Sequence, residues 1–171
     1  NVNYRFRAEI TNTVNAGLVT LGADVNGNFT LPRQSNVYTF TGVAGQMLYF
    51  DGIAAIPGFT FKLSGPSGLF PTSSAANQDS GAILLQESGA YTLTLTGNAA
   101  GAYRFKLLDA AAAPAVSVGD TVSQTLTPGA STNLYQITGA AGEHLILQNL
   151  STVDPSDTLS SWAIYNSAGQ Q

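Results

Sequence analysis

A nucleophile needs a base beside it, so a search for chemistry begins at the one histidine, His144, in "EHLILQ". A second, related stretch of the chain carries Met47 at the corresponding place. A position that accepts histidine or methionine reads as a variable, half-buried strand site, not as a catalytic base. A zinc centre would need several His or Cys ligands, and there is no cysteine. The G-x-S-x-G pattern of a nucleophile elbow does not occur. "SGPSG" (64–68) is a Gly/Pro turn with no helical pattern after it. "YTFTGVAGQ" lacks the G-x-x-x-x-G-K-[ST] spacing of a phosphate loop, and no helix follows to hold an anion.

Paired carboxylates could hydrolyse a glycosidic bond. The acids here are scattered, and when the two related stretches are aligned Asp51 falls on Gln148 and Asp24 on Thr121. They read as isolated surface charges. Hard cations take oxygens from loops, and "NQDSG" and "TVDPSD" hold suitable ones, with Asn77, Asp79, Asp154 and Asp157 as candidate calcium ligands. Neither stretch follows the EF-hand or glycine-rich nonapeptide pattern, and Asp and Asn also favour turns unaided. Calcium is therefore the one cofactor the residues allow, and otherwise none is expected. Trp162, Tyr165, Phe70 and Tyr49 are of the type that forms carbohydrate platforms. Trp162 aligns with Phe61, which reads as a core position instead, and Phe70 is the aromatic expected on a loop. Asn28 and Asn149 stand in N-x-S/T sequons, which matter only in a glycosylating host.

The elements behind these residues are repeated. "LVTLGADVNGNFTLPRQSNVYTFTGVAGQMLYFDGI" (18–53) aligns without gaps on "AVSVGDTVSQTLTPGASTNLYQITGAAGEHLILQNL" (115–150). Tyr38, Gly42, Gly45 and Leu48 recur as Tyr135, Gly139, Gly142 and Leu145, and Asn36 recurs as Asn133. "FKLSGPSG" (61–68) matches "WAIYNSAG" (162–169) after a short insertion, and "YRFRAEI" (4–10) matches "YRFKLLD" (103–109). What survives is a strand residue, a turn and the next strand's core residue. The repeated phrase marks a strand–turn–strand, not a site. The unit is roughly a hundred residues long. Residues 1–10 are expected to be the last strand of a preceding repeat, 11–17 a linker, 18–109 a complete repeat, 110–114 a second linker, and 115–171 the first, incomplete part of a following repeat. A half-sandwich exposes a sheet face and unpaired edges. Either the native chain continues or a neighbouring molecule supplies the missing strands.

Within each unit, runs such as "VYTFT", "FTFKL" and "YTLTLT" alternate with period two, and Gly, Pro, Asn and Ser cluster between them. About eight short strands with frequent turns imply an all-β, antiparallel, jelly-roll-like β-sandwich. In "YTLTLT", Tyr91, Leu93 and Leu95 share one face and Thr92, Thr94 and Thr96 the other. The order "YTFTGVAGQMLYF", "FKLSGPSG", "SGAYTLTLTG", "GAYRFKLLD" resembles the pre-peptidase C-terminal type of bacterial β-sandwich repeat. That resemblance covers the complete unit and runs into the partial one. It implies an extracellular accessory or structural role, as in tandem arrays of large secreted or surface proteins. No binding motif of that family can be matched here residue by residue.

Composition narrows the setting. Hydrophobic residues make up 44%, enough for a core. Charged residues make up only 9%, against roughly 25% in an average domain. No apolar run approaches the roughly 20 residues of a membrane helix. The six basic residues form no patch in sequence, so neither nucleic acid nor an anionic membrane surface is an expected partner. The absence of cysteine and the Ser/Thr/Asn-rich polar fraction resemble exported bacterial β-proteins. The start "NVNYRFR" has no signal-peptide pattern, so a leader was removed or the chain is an excerpt. The combined expectation is a non-enzymatic, extracellular or cell-surface bacterial module that builds a stalk, filament or surface array with neighbouring copies, with strand complementation between molecules as one route. The alternative is a polysaccharide- or protein-polymer-binding accessory module of a secreted hydrolase.

Overall fold

The structure, a computed structural model, describes Arg5, residues 11–55, 58–69, 72–76, 78–140, 142–148, 150 and 161–171. The expected last strand of a preceding repeat (1–10) lies, apart from Arg5, outside the described residues.

Nine strands follow one another through the first part of the chain: β1 (Thr13–Leu18), β2 (Val25–Phe29), β3 (Ser35–Gly42), β4 (Met47–Ala55), β5 (Thr60–Ser64), β6 (Thr72–Ala75), β7 (Ala82–Leu84), β8 (Gly89–Thr96) and β9 (Gly101–Asp109). They form two sheets, ordered β1-β3-β8-β5-β6 and β2-β9-β4-β7. The two sheets pack face to face as a β-sandwich. Each pair is antiparallel except β1 with β3. That exception follows from connectivity: the chain leaves β1, passes through β2 in the other sheet and returns, and such a crossover permits a parallel pair.

The inner faces come from the period-two pattern. Tyr91, Leu93 and Leu95 of β8 are buried, while Thr92, Thr94 and Thr96 are only partly covered. Thr tolerates both an extended backbone and solvent, which suits the outer face of a central strand. The two sheets meet through aromatic rings. Phe50 of β4 stacks on Phe61 of β5 with centroids 3.9 Å apart, and on Phe105 of β9 at 5.1 Å. Phe29 meets Phe59 edge-on at 4.6 Å. Burial of one such side chain contributes about 1.5–3 kcal/mol, so this cluster is the main source of cohesion.

The segment 11–17 departs from the linker expected of it, because Thr13–Leu18 is a sheet strand. Its small, polar sequence "TVNAGL" hid it. An edge strand with an outer face in solvent does not need strong alternation. After β9, Ala110–Ala112 form a short 3₁₀ turn, and the Asp109 side chain accepts a hydrogen bond from the Ala111 amide at its start.

The described part of 115–171 contains only two short strands, β10 (Ala115–Val116) and β11 (Gln136–Ile137), paired in parallel. Their register matches the complete unit. Ala115 pairs with Gln136 where Leu18 pairs with Thr39. Local turns match too. Gln46 N donates to Val43 O at 3.0 Å, and Glu143 N to Ala140 O at 3.1 Å. Gly68 N donates to Gly65 O, and Gly169 N to Asn166 O, both at 2.9 Å. Gly45 and Gly142 hold φ of 83° and 87°, a left-handed conformation that only glycine adopts without strain. Leu145, Leu147, Trp162 and Ile164, which alignment places in a core, are exposed.

Candidate functional site

Burial of a charge without a partner is costly. Among the described residues Asp51 is the one such group: its relative exposure is 0%, and neither carboxylate oxygen has a hydrogen-bond partner. Asp51 lies on β4 opposite Lys106 of β9. Lys106 alternates with the inward Phe105 and Leu107, so the pair stands on the outer face of the β2-β9-β4-β7 sheet. A carboxylate on an outer face is buried only if something covers it. Asp79 provides one side. The chain after β6 runs along β4, with Ser80 N donating to Phe50 O at 3.1 Å. Asp79 Oδ1 accepts from Gly52 N at 3.1 Å, and its Oδ2 accepts from Tyr49 OH at 3.1 Å. The following segment provides the other side. Thr132 Oγ1 donates to Asp79 Oδ2 at 2.7 Å, and its neighbour Ser131 is buried with its hydroxyl unpaired.

The electrostatics follow from this crowding. Burial pushes the Asp51 carboxyl up to about 6. The Thr132 amide lies close enough to oppose that rise without reaching hydrogen-bond geometry, the Asp79 charge adds to it, and Lys106 works against it. Burial, then the Asp79 charge, also raises the Tyr49 phenol. Farther along the same face Arg104 grips Asp24 with two bonds, 3.2 and 2.9 Å long, and that contact lowers the Asp24 carboxyl.

A second polar cluster lies inside the sandwich. Gln34 Nε2 donates to Asn36 Oδ1 at 2.6 Å, Asn36 Nδ2 donates to Tyr103 OH at 2.6 Å, and the Tyr103 and Tyr38 hydroxyls are 2.8 Å apart. Every member finds a partner, so this network is a structural crosslink between the sheets.

Of the calcium candidates, Asp79 enters the acidic site, whereas Asn77, Asp154 and Asp157 lie outside the described residues. No group of three or more His, Cys, Asp or Glu side chains is gathered among the described residues. Asp51, set aside as a scattered surface acid, is the residue sequence reasoning missed. The available signal was an acid inside the apolar run "LYFDGIAA". His144 is exposed. Tyr38 and Leu48 are core residues, Gly42 is buried against Leu85 and Tyr91, and Gly45 turns the chain. Of their counterparts, Tyr135 is half-buried, Gly139 is exposed, Gly142 turns the chain and Leu145 is exposed. Among the platform candidates, Trp162 is 64% exposed, Tyr49 and Tyr165 are half-buried, and Phe70 lies outside the described residues. No helix among the described residues is long and apolar enough to cross a membrane.

No family model matches the sequence, and no curated protein matches it. Solved structures with a partial likeness to this chain include three. PliG of Aeromonas hydrophila, a periplasmic inhibitor of g-type lysozyme, is 15% identical, over 58% of this chain and 99% of that one, with a TM-score of 0.43. PliG of Salmonella Typhimurium is 20% identical over 57% and 98%, with a TM-score of 0.44. The pre-peptidase C-terminal domain of a Bacillus anthracis collagenase is 21% identical over 60% and 99%, with a TM-score of 0.41.

Proposed function

We propose that this chain is a non-enzymatic, extracellular or cell-surface bacterial module whose sandwiches line up in an array, with strands exchanged between neighbouring molecules. The observation that carries this reading is the repeated local geometry of 115–171. The segment reproduces the β1–β3 register and the turns at Gly45 and Gly68, yet leaves its core-type side chains exposed. In the complete unit Asn36 and Tyr38 bond to Tyr103 of β9. Their counterparts Asn133 and Tyr135 are exposed and half-buried. A strand of β9 type would cover them, and "YRFRAEI" has that sequence, with Tyr4 matching Tyr103. Residues 4–10 of a neighbouring copy are therefore the proposed donor. Head-to-tail contacts of this kind extend unless symmetry closes them. The low charge and the Ser/Thr/Asn-rich polar surface support the extracellular setting.

Sedimentation velocity over a concentration series tests the array. Growth of species beyond the monomer is the expected result, with Tyr4→Ala reducing it. A monomer at every concentration, with slow amide exchange across 134–148, would refute it.

The second reading is a polysaccharide-binding accessory module. Its support is a shallow groove of about 340 Å³ on the outer face of β5, β6 and β8, lined by Thr60, Lys62, Ser73, Ser74, Thr94 and Thr96. Hydroxyls in a row suit sugar hydroxyls. A glycan array on the chain and on a Thr94→Val variant separates the readings.

A further inference from the structure

We propose that Asp51, Asp79 and Thr132 form a site for a hard divalent cation, calcium by its donor chemistry, that fastens the segment around 131–132 onto the outer face of the β2-β9-β4-β7 sheet. Two independent observations point to a missing ligand. Asp51 is fully buried with both oxygens unpaired, and Ser131, from a distant part of the chain, is buried with its hydroxyl unpaired. Native structures rarely leave such groups unsatisfied, and an ion is one of the standard explanations.

The chemistry of the donors decides which ligand. All are oxygens: two carboxylates and the Thr132 hydroxyl, with the Ser131 hydroxyl next to it in sequence. Calcium takes 6–8 oxygens in irregular geometry and accepts water for the remainder, whereas magnesium demands a near-octahedral shell. Asp79 already accepts from Gly52 N, Tyr49 OH and Thr132 Oγ1. A carboxylate has about four lone-pair sites, so one remains, and Asp51 brings a full set. Two adjacent carboxylates repel each other, and a divalent ion offsets both. Lys106 faces Asp51 across the strand pair and brings one positive charge, but its ammonium makes no hydrogen bond to the carboxylate. A site with only two protein carboxylates belongs to the weak class, with Kd of about 10⁻⁴–10⁻³ M, which suits extracellular calcium. It is independent of the array reading, because every group belongs to one chain.

The test uses the whole 171-residue chain in chelator and in about 5 mM calcium chloride, a concentration above the expected Kd. Calcium is expected to raise the melting temperature by several degrees and to slow amide exchange across 128–136. Isothermal titration should show one saturable site. Asp51→Asn should remain folded and lose both the heat and the thermal shift. Asp79→Asn should weaken binding at least tenfold. No thermal shift and no heat with the wild-type chain would overturn the proposal. So would an equal shift from sodium chloride at matched ionic strength, or an Asp51→Asn chain that still responds to calcium. If Asp51→Asn fails to fold, Asp79→Asn and the wild-type exchange pattern decide the matter.

Discussion

Gln46 and Glu143 do the same work in two places: Gln46 Oε1 accepts from Val43 N at 3.1 Å, and Glu143 Oε2 accepts from Ala140 N at 2.7 Å. Each fastens its local turn, and in the complete unit that turn joins β3 to β4. A side-chain oxygen is all that turn requires, which explains why amide and carboxylate interchange. Gln46 has a further duty, since its Nε2 donates to Asp109 Oδ2 at 2.8 Å. Glu143→Gln should therefore change stability by no more than about 0.5 kcal/mol. Gln46→Glu should cost about 1 kcal/mol, because it loses the donor and sets two carboxylates together. Urea denaturation at pH 7 reads both, and the Gln46→Glu penalty should shrink at pH 4.

The inter-sheet polar network makes a sharper prediction. Tyr103→Phe leaves one Asn36 N–H and the Tyr38 hydroxyl without their partner inside the core. Leaving a buried donor unmet costs about 1–3 kcal/mol. Gly27→Ala attacks the same tyrosine from the neighbouring strand. Gly27 pairs with Tyr103, and a Cβ at residue 27 would land on that ring. The ring is buried and bonded, so it cannot swing aside, and overpacking of this kind costs about 1–3 kcal/mol. Both variants should unfold at lower urea with an unchanged slope.

The strands that carry the core were legible in the sequence because period two is written in large side chains: "YTLTLT" buries the residues its alternation assigns. The repeated turns were legible because glycine and a flanking oxygen recur at fixed spacing. Three features were not legible. β1 was hidden because an edge strand of "TVNAGL" lacks alternation. The Tyr103 crosslink was hidden because its partners Asn36 and Tyr38 lie far away in sequence, on a strand of the other sheet. Asp51 was hidden because its cover comes from residues distant in sequence, Asp79 on one side and the segment around Ser131 and Thr132 on the other, and no local pattern encodes contacts at that distance.

Asp51 also gives the molecule a characteristic pH response in metal-free buffer. Its carboxyl titrates near 3.8 in the unfolded chain and at about 6 in the folded one. The folded state therefore holds the proton more tightly. The stability this contributes is fully present below about pH 4 and is lost as the pH rises through about 6. The loss amounts to about 2–3 kcal/mol. Unfolding free energy measured from pH 4 to 7 in chelator should carry this downward component, and Asp51→Asn should remove it. A slope that is unchanged in Asp51→Asn assigns the titration to another group.

Trp162 reports on the array reading, because it is the chain's only tryptophan. Its counterpart Phe61 is 1% exposed and stacks on Phe50 in the complete unit, whereas Trp162 is 64% exposed. If a neighbouring molecule completes the second unit, the indole moves from water into a core. Emission should then shift to the blue, and acrylamide quenching should fall, as protein concentration rises. Trp162→Ala should leave the melting of the complete sandwich unchanged, since the indole lies outside the buried cluster that holds it together. The same variant should weaken association by about 3–5 kcal/mol, the usual cost of emptying an aromatic core position. Emission that stays red and fully quenchable at every concentration would mean that the exposed side chains of 115–171 are not covered by a second copy.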